Sequence, residues 1–478
     1  MKLKSRLLLV GILHTLQPRG HGPIGQSSVR SGMFIVKAPK ETEAPLGAAC
    51  QGRSATMAVV PLLTELEKSF PGLRSYKHAA PNGANDFAPA HRIFGFATIF
   101  RLVACFLACP ALADKIFVPG ESGEGKLIPI SISGFTGEVD ETLKFDLEIA
   151  GFSNVGSEAA QYLVSGSNNG NVQGRLTDPH NRSTLLSKAY SGASLRRQTH
   201  AFADDIVLAI TGKKGIAQTK IAFKGETGSN GEIFIADYDG HNAQAVTKDN
   251  TLVAAPCWAP GRLALYYTSY KFGSPDIFYH DLSTGERRAI ARYSGLNTSA
   301  AVSPDSRRVA MILSKGGSPD VYVCDADGSN LRRLTATRED ESSPCWSPDG
   351  QWICYATKIA ERRSLCKVPA SGGPAQRIPT SGVSSPTEPD WSPDGKWIAF
   401  TAQWRDFQIC VIPAGGGTAV ALVEGEDPSW APNSRTLVYA RRQGGHRVLS
   451  LLDVMTKQVK DVSRISGSKS QSQPSWAR

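Results

Sequence analysis

The stretch CWSPDG, residues 345–350, decides the fold of this chain. It returns as DWSPDG at 390–395, and in weaker form as CWAPG at 257–261, AVSPDS at 301–306, SWAPNS at 429–434 and SWAR at 475–478. The marker column is Trp258, Val302, Trp346, Trp391, Trp430 and Trp476, with steps of 44, 44, 45, 39 and 46 residues. That period suits a four-stranded propeller blade. Within each unit the chemistry is local. Trp is a large apolar wedge between stacked sheets. Pro removes a ladder donor and ends strand pairing. Asp-Gly then makes the tight reversal into the next strand. The five tryptophans are therefore read as structural residues.

The third unit shows the strands. SSPCW (342–346) precedes the turn, QWICYAT (351–357) and SLCKVPA (364–370) follow it, and PAQRIPT (374–380) closes the blade. The fourth repeats this as KWIAFTA, QICVIPA and TAVALVE. Period-2 patterns bounded by Pro, Asp and Gly indicate antiparallel strands. The first unit begins at TKIAFKG (219–225) with no marker ahead of it, and QPSWAR (473–478) is left over behind the last. A ring resolves both: the tail supplies the first blade's missing strand, and closure removes exposed edges.

Ahead of the ring, residues 114–218 mix strand-like runs such as KLIPISISGF (126–135) with two helical patterns. Asp140 is expected to cap a helix over 141–150. Phe202, Ile206, Val207 and Ile210 form one apolar helix face that Gly212 ends. The expected fold is mainly β: a six-bladed β-propeller over 219–478 preceded by a small α/β domain over 114–218.

The first 113 residues read differently. They hold 13 Lys/Arg against 5 Asp/Glu, whereas 114–478 holds 40 against 38, so the formal +10 belongs almost wholly to the front segment. No nucleic-acid footprint is expected in the remainder. Residues 92–113 combine a basic flank, an apolar run and Ala-Leu-Ala before Asp114, the pattern of an export signal. LVAC at 102–105 offers lipidation at Cys105 as a second processing route. Residues 1–91 show little periodicity and read as a disordered leader or an over-long start. Six cysteines follow residue 113; several occupy apolar positions of expected strands and read as buried free thiols, while Cys345 with Cys354, or Cys354 with Cys366, could alternatively pair between neighbouring strands.

Catalytic and metal signatures are weak. No GxSxG elbow follows residue 113, and none of the histidines there has metal-ligand spacing. His280 reads as a solvated surface residue. DYDGHN (237–242) and DADGSN (325–330) are hairpin turns without the distant Glu of a calcium loop. No cofactor is expected. The loops that lead into the marker strands gather at one mouth of the ring. Their candidate partner-binding residues are Leu296, Asn297, Thr298, Ser299, Glu341, Ser342, Ser343, Thr387, Glu388, Glu426 and Asp427. With Glu339, Asp340 and Glu424 these suggest an acidic collar suited to a basic or polar partner.

Two parts of the chain carry a resemblance. FADDIVLAITGKKGIAQTKIAF (202–223), ADYDGHNAQAV (236–246), YVCDADGSNLRRLT (322–335) and the WSPDG repeats resemble the TolB family of periplasmic propeller proteins. The resemblance implies a non-enzymatic periplasmic component of the Tol–Pal envelope system. It implies that the propeller mouth binds a Pal-like peptidoglycan-associated lipoprotein. It also implies that the amino-terminal region communicates with a TolA-like inner-membrane protein. Membrane contact would then come only through partners, in outer-membrane integrity and constriction during division. A lyase-like carbohydrate-active propeller and a generic periplasmic scaffold are the alternatives.

Overall fold

A computed structural model describes residues 125–478 apart from 193, 227, 229, 404–405 and 463–466. The leader, the export signal, Cys105 and Asp114 lie outside the described residues.

The α/β domain is a five-stranded sheet in the order β2-β1-β3-β4-β5 with two helices. Its strands are β1 (Ile128–Ser133), β2 (Phe152–Asn154), β3 (Tyr162–Ser167), β4 (Gln173–Asp178) and β5 (Ser183–Ala189); the helices are α1 (Gly137–Ile149) and α2 (Leu195–Thr211). Strand β1 runs parallel to β2 and β3, and β3, β4 and β5 form an antiparallel meander. Helix α1 starts earlier than expected. Thr136 is its N-cap, and Asp140 lies inside the first turn, where it pairs with Lys144 one turn on at 2.6 Å. A carboxylate there favours the positive end of the helix dipole without capping it. Ser194 caps α2 by accepting from the Arg197 N–H, and Gly212 ends it at φ 70°, a left-handed conformation that costs glycine little. Phe202 and Ile206 on its inner face are fully buried.

The rest is a ring of six four-stranded antiparallel blades, each strand labelled A to D from the channel outward. Blades II to VI take their A strands from Val253–Trp258, Asn297–Val302, Ser342–Trp346, Thr387–Trp391 and Glu426–Trp430. Blade I is composite. Its B, C and D strands are Lys220–Glu226, Gly231–Asp237 and Gln244–Ala245, and its A strand is Gln471–Trp476 from the tail, antiparallel to strand B. A short parallel pair, Thr380–Ser381 with Gly417–Thr418, ties blade IV to blade V on the outside.

Each marker packs against the blade before it. Trp346 lies among Ala310, Ile312 and Val321 of blade III, Trp430 among Ile409 and Val411 of blade V, and Trp476 among Val438 and Leu449 of blade VI. Val302 replaces the wedge in blade III and packs with Tyr266 and Ile277. Three indole N–H groups also tie the ring: Trp346 donates to the Ala301 carbonyl at 2.9 Å, Trp430 to the Asp390 carbonyl at 3.2 Å, and Trp476 to Thr219 Oγ1 at 2.8 Å. The apolar core of the α/β domain runs continuously into blades I and VI through Tyr238, Val438 and Trp476.

Candidate functional site

Every A strand carries the same irregularity. Its register against strand B slips once, and the slip holds a non-glycine residue in the left-handed region: Ala255, Ser299, Ser343, Glu388, Asp427 and Gln473, at φ 49–58°. In five of six blades Pro follows it. Two residues opposing one is a β-bulge, which bends a strand and re-aims its side chains. Here the bulges curve the six A strands around a channel of about 490 Å³.

The bulge residues of neighbouring blades are linked. Gln473 Oε1 accepts from the Ala255 N–H at 2.9 Å, Asp427 Oδ2 from the Gln473 N–H at 3.0 Å, and Glu388 Oε2 from the Asp427 N–H at 3.1 Å. Half the mouth is thus laced by side chains passing from blade V to blade II. Ser299 and Ser343, with short side chains, line the other half.

The sequence candidates divide accordingly. Ser299, Ser343, Glu388 and Asp427 line the channel. The others serve as struts. Asn297 is fully buried and donates to the Pro275 and Tyr293 carbonyls at 3.0 and 2.8 Å, pinning two loops. Glu341 is 2% exposed and accepts from the Val321 N–H at 3.0 Å and from Thr335 Oγ1. Glu426 is bound by Arg447. Thr298 meets Thr268 at 3.1 Å. Leu296 packs against the core of blades III and IV, and Ser342 and Thr387 are half-buried in their A strands.

The expected acidic collar is therefore not an exposed acidic surface. Burial pushes the Glu341 carboxyl up to about 7. Burial and the neighbouring Glu388 raise Asp427 well above the usual carboxylate range. The exposed charge on this face is mainly basic. Lys271, Arg292, Lys315 and Arg338 stand exposed on its B–C and D–A loops, and Lys358 and Arg442 at the mouth ends of B strands; among the described residues the exposed acids of these loops and strand ends are Asp340, Glu361, Asp406 and Glu424. Exposed apolar tips sit between them: Leu252, Phe272, Ile359 and Phe407. Arg292 stacks on Phe272 at 4.3 Å and Lys315 on Tyr293 at 3.9 Å, which joins cationic and apolar surface in one patch.

The far end of the channel holds a residue the sequence reading passed over. Arg478 donates to the Trp391 carbonyl at 3.3 Å and to the Trp430 carbonyl at 3.2 Å, and pairs with Asp390. Asp390 precedes its marker Trp where the other blades place Cys, Ala, Cys, Ser and Ser. An acid in that column was the available signal.

On that same end the α/β domain is fastened by buried charge. His200 of α2 lies 2.7 Å from Asp146 of α1 and 3.4 Å from Asp239, which sits in the turn after strand C of blade I. Arg196 also pairs with Asp239, and Tyr238 donates to Asp146. Burial works against the His200 charge, but the two carboxylates raise it to about 10. The turn DYDGHN thus carries the seam as well as a hairpin. His280, by contrast, is buried rather than solvated, and burial with Arg287 nearby lowers it to about 4. Among the described residues no cluster of His, Cys, Asp and Glu is arranged to hold a metal, and no helix is long and apolar enough to cross a membrane.

A closed ring capped at one end and open at a patterned rim defines a six-bladed β-propeller. A family model described as the TolB beta propeller domain matches residues 207–478, and the chain belongs to that family. The Tol-Pal system proteins TolB of Bordetella pertussis and Bordetella bronchiseptica are each 31% identical to it over 285 residues, 58% of this chain. The match spans 65% of those relatives' own length. The crystal structure of TolB from Acinetobacter baumannii shares the fold, with a TM-score of 0.66 at 22% identity over 74% of this chain and 97% of that one.

Proposed function

We propose that the chain is a non-catalytic envelope scaffold whose open rim binds a folded partner domain, with a Pal-like lipoprotein as that partner and a TolA-like protein engaged through the amino-terminal region. The observation that carries the reading is the six-fold bulged mouth: a recessed channel lined largely by Pro and Trp side chains and surrounded by exposed cations and apolar tips, opposite the capped end. A concave mouth of this size suits a convex domain better than a flat surface, and rim charges chiefly set encounter rate and salt dependence. The periplasm is the compartment in this reading.

The test is binding of the Pal-like periplasmic domain to the full chain by calorimetry. The triple change Lys271→Glu, Lys315→Glu and Arg338→Glu is expected to weaken binding about tenfold and to flatten its salt dependence. The same reversal at Arg262, Arg307 and Lys396 on the opposite end is expected to leave binding unchanged. Equal loss from both triples, or none from the first, would reject the rim as the docking surface. A chain that binds neither partner and releases unsaturated products from envelope polysaccharide would favour the lyase-like alternative.

A further inference from the structure

The six A–B strand pairs place one equivalent couple opposite each other in every blade. From blade I to blade VI these are Ser475 with Ala222, Cys257 with Tyr266, Ala301 with Ala310, Cys345 with Cys354, Asp390 with Ala399 and Ser429 with Val438. Blade IV alone sets two thiols face to face. Directly opposed residues of an antiparallel pair have Cα atoms about 4.5–5.5 Å apart and side chains on one face. That is inside the span a disulfide bridges. Both side chains are buried between blades IV and V. The alternative pair is ruled out by register: Cys366 lies opposite Tyr355 on one side and Arg377 on the other, so Cys354 is not its partner. Cys324 faces Val309, and Cys410 faces Phe400 and Ala421.

We propose that Cys345 and Cys354, free thiols in this structure, close to a cross-strand disulfide when the folding chain meets a disulfide-bearing oxidant, clipping the channel wall of blade IV to its second strand. The reaction is thiol–disulfide exchange. One thiolate attacks the oxidant and releases its first thiol. The other attacks the resulting mixed disulfide and releases the second. Two protons leave the protein, two electrons pass to the oxidant, and one S–S bond forms.

The site has a mechanical reason. In blade IV the bulge falls between Ser342 and Cys345, with Ser343 left-handed and Pro344 without a donor. The A strand is held to its neighbour by few ladder bonds beyond the marker end. A covalent link at 345/354 fixes the register next to the bulge. The neighbouring Cys354 and burial raise the Cys345 thiol well above its usual range, and the thiolate is the reactive form. Closure therefore belongs to the stage before the blade is packed. The setting rests on the envelope placement proposed above, since exported proteins keep disulfides; the chemistry does not depend on it.

The test uses the full chain, unfolded under reductant and refolded in a mixture of oxidised and reduced glutathione. It is then alkylated in denaturant without reductant and cut with trypsin. Both cysteines fall in one peptide, Glu339–Lys358. The expected peptide is two hydrogens lighter than the dithiol and carries no alkyl group, while Cys324, Cys366 and Cys410 are alkylated. In Cys345→Ala the remaining Cys354 is expected to alkylate fully, and the converse in Cys354→Ala. A doubly alkylated wild-type peptide, or either cysteine joined to a different one, overturns the proposal. Chain recovered from cells tests the setting separately. If the bridge forms on refolding but the recovered chain is fully alkylated, the clip stands and the envelope placement falls.

Discussion

Truncating Trp476 should destabilise this protein more than truncating any other marker that lacks its connections. The side chain is 2% exposed, and its cluster joins blades I and VI to the α/β domain. Removing a fully buried aromatic costs about 3–5 kcal/mol through lost transfer energy and the cavity left behind. Its Nε1 also donates to Thr219 Oγ1 at 2.8 Å, and losing that bond adds about 1 kcal/mol. Trp476→Ala is therefore expected to cost about 4–6 kcal/mol, a large part of the 5–15 kcal/mol typical of a domain. Trp258 supplies the contrast. It occupies the same position in blade II and is 5% exposed, but among the described residues its Nε1 has no hydrogen-bond partner. Trp→Phe separates the two contributions, since it keeps an aromatic wedge and removes the N–H. Trp476→Phe loses a hydrogen bond, whereas Trp258→Phe relieves an unsatisfied buried donor. The midpoint of urea unfolding, followed by far-UV circular dichroism, should fall further for Trp476→Phe, with the two variants separated by about 1–3 kcal/mol. Equal midpoints, or a larger loss at Trp258, would refute the assignment of that bond as part of ring closure.

Glu341→Gln should stabilise the ring at pH 8 and do little at pH 4. Its raised folded pKa makes the native state bind the extra proton between about 4.5 and 7, so stability falls as pH rises through that window; unfolding midpoints of wild type and variant at the two pH values check it. His200 shifts the other way from His280: the stability its charge supplies is complete below the unfolded value near 6.5 and is lost as pH rises through about 10. His200→Gln should therefore lower the midpoint at pH 7 and narrow the gap to wild type at pH 10.5. His280, lowered to about 4, opposes protonation in the fold, so His280→Gln should lessen the stability lost between pH 6.5 and 4. Amino-terminal sequencing of chain recovered from cells is expected to begin at Asp114, and a start within residues 1–91 would exclude cleavage after Ala113.

The ring was legible because a blade is a local object. Trp, Pro and Asp-Gly act within six residues, and six phased copies leave one architecture. The leftover Trp476 strand even located the closing blade. The side-chain roles at the mouth were not legible, because they depend on which way a bulged strand turns. Glu341, Glu388 and Asp427 are equally acidic in the sequence, yet Glu341 goes inward to hold Val321 and Thr335, while Glu388 and Asp427 bond around the channel. The slip that decides this is a backbone event at residues with no common identity: Ala, Ser, Ser, Glu, Asp and Gln. The seam escaped for a related reason. Asp146, His200 and Asp239 are 39 to 93 residues apart in the chain, and only the docking of two helices on blade I brings them together.

These two groups of buried charge sit at opposite ends of the same ring, and blade I is common to both. Its A strand carries Gln473, which receives the last link from Asp427 and passes it to Ala255 of blade II. Three residues on, that strand carries Trp476, whose ring lies 6.2 Å from Tyr238, itself bonded to Asp146 at the seam. A partner that displaced the Asp427–Gln473 bond would act on a strand held at its other end by the α/β domain. A close-packed interior has low compressibility and transmits strain. The composite blade therefore offers a short mechanical path between mouth and cap. Gln473→Ala removes the link without touching the seam. If the path operates, that variant should change hydrogen exchange in α1 and α2 as well as in blades I, II and VI. Exchange altered only at the mouth would show that the two ends are independent.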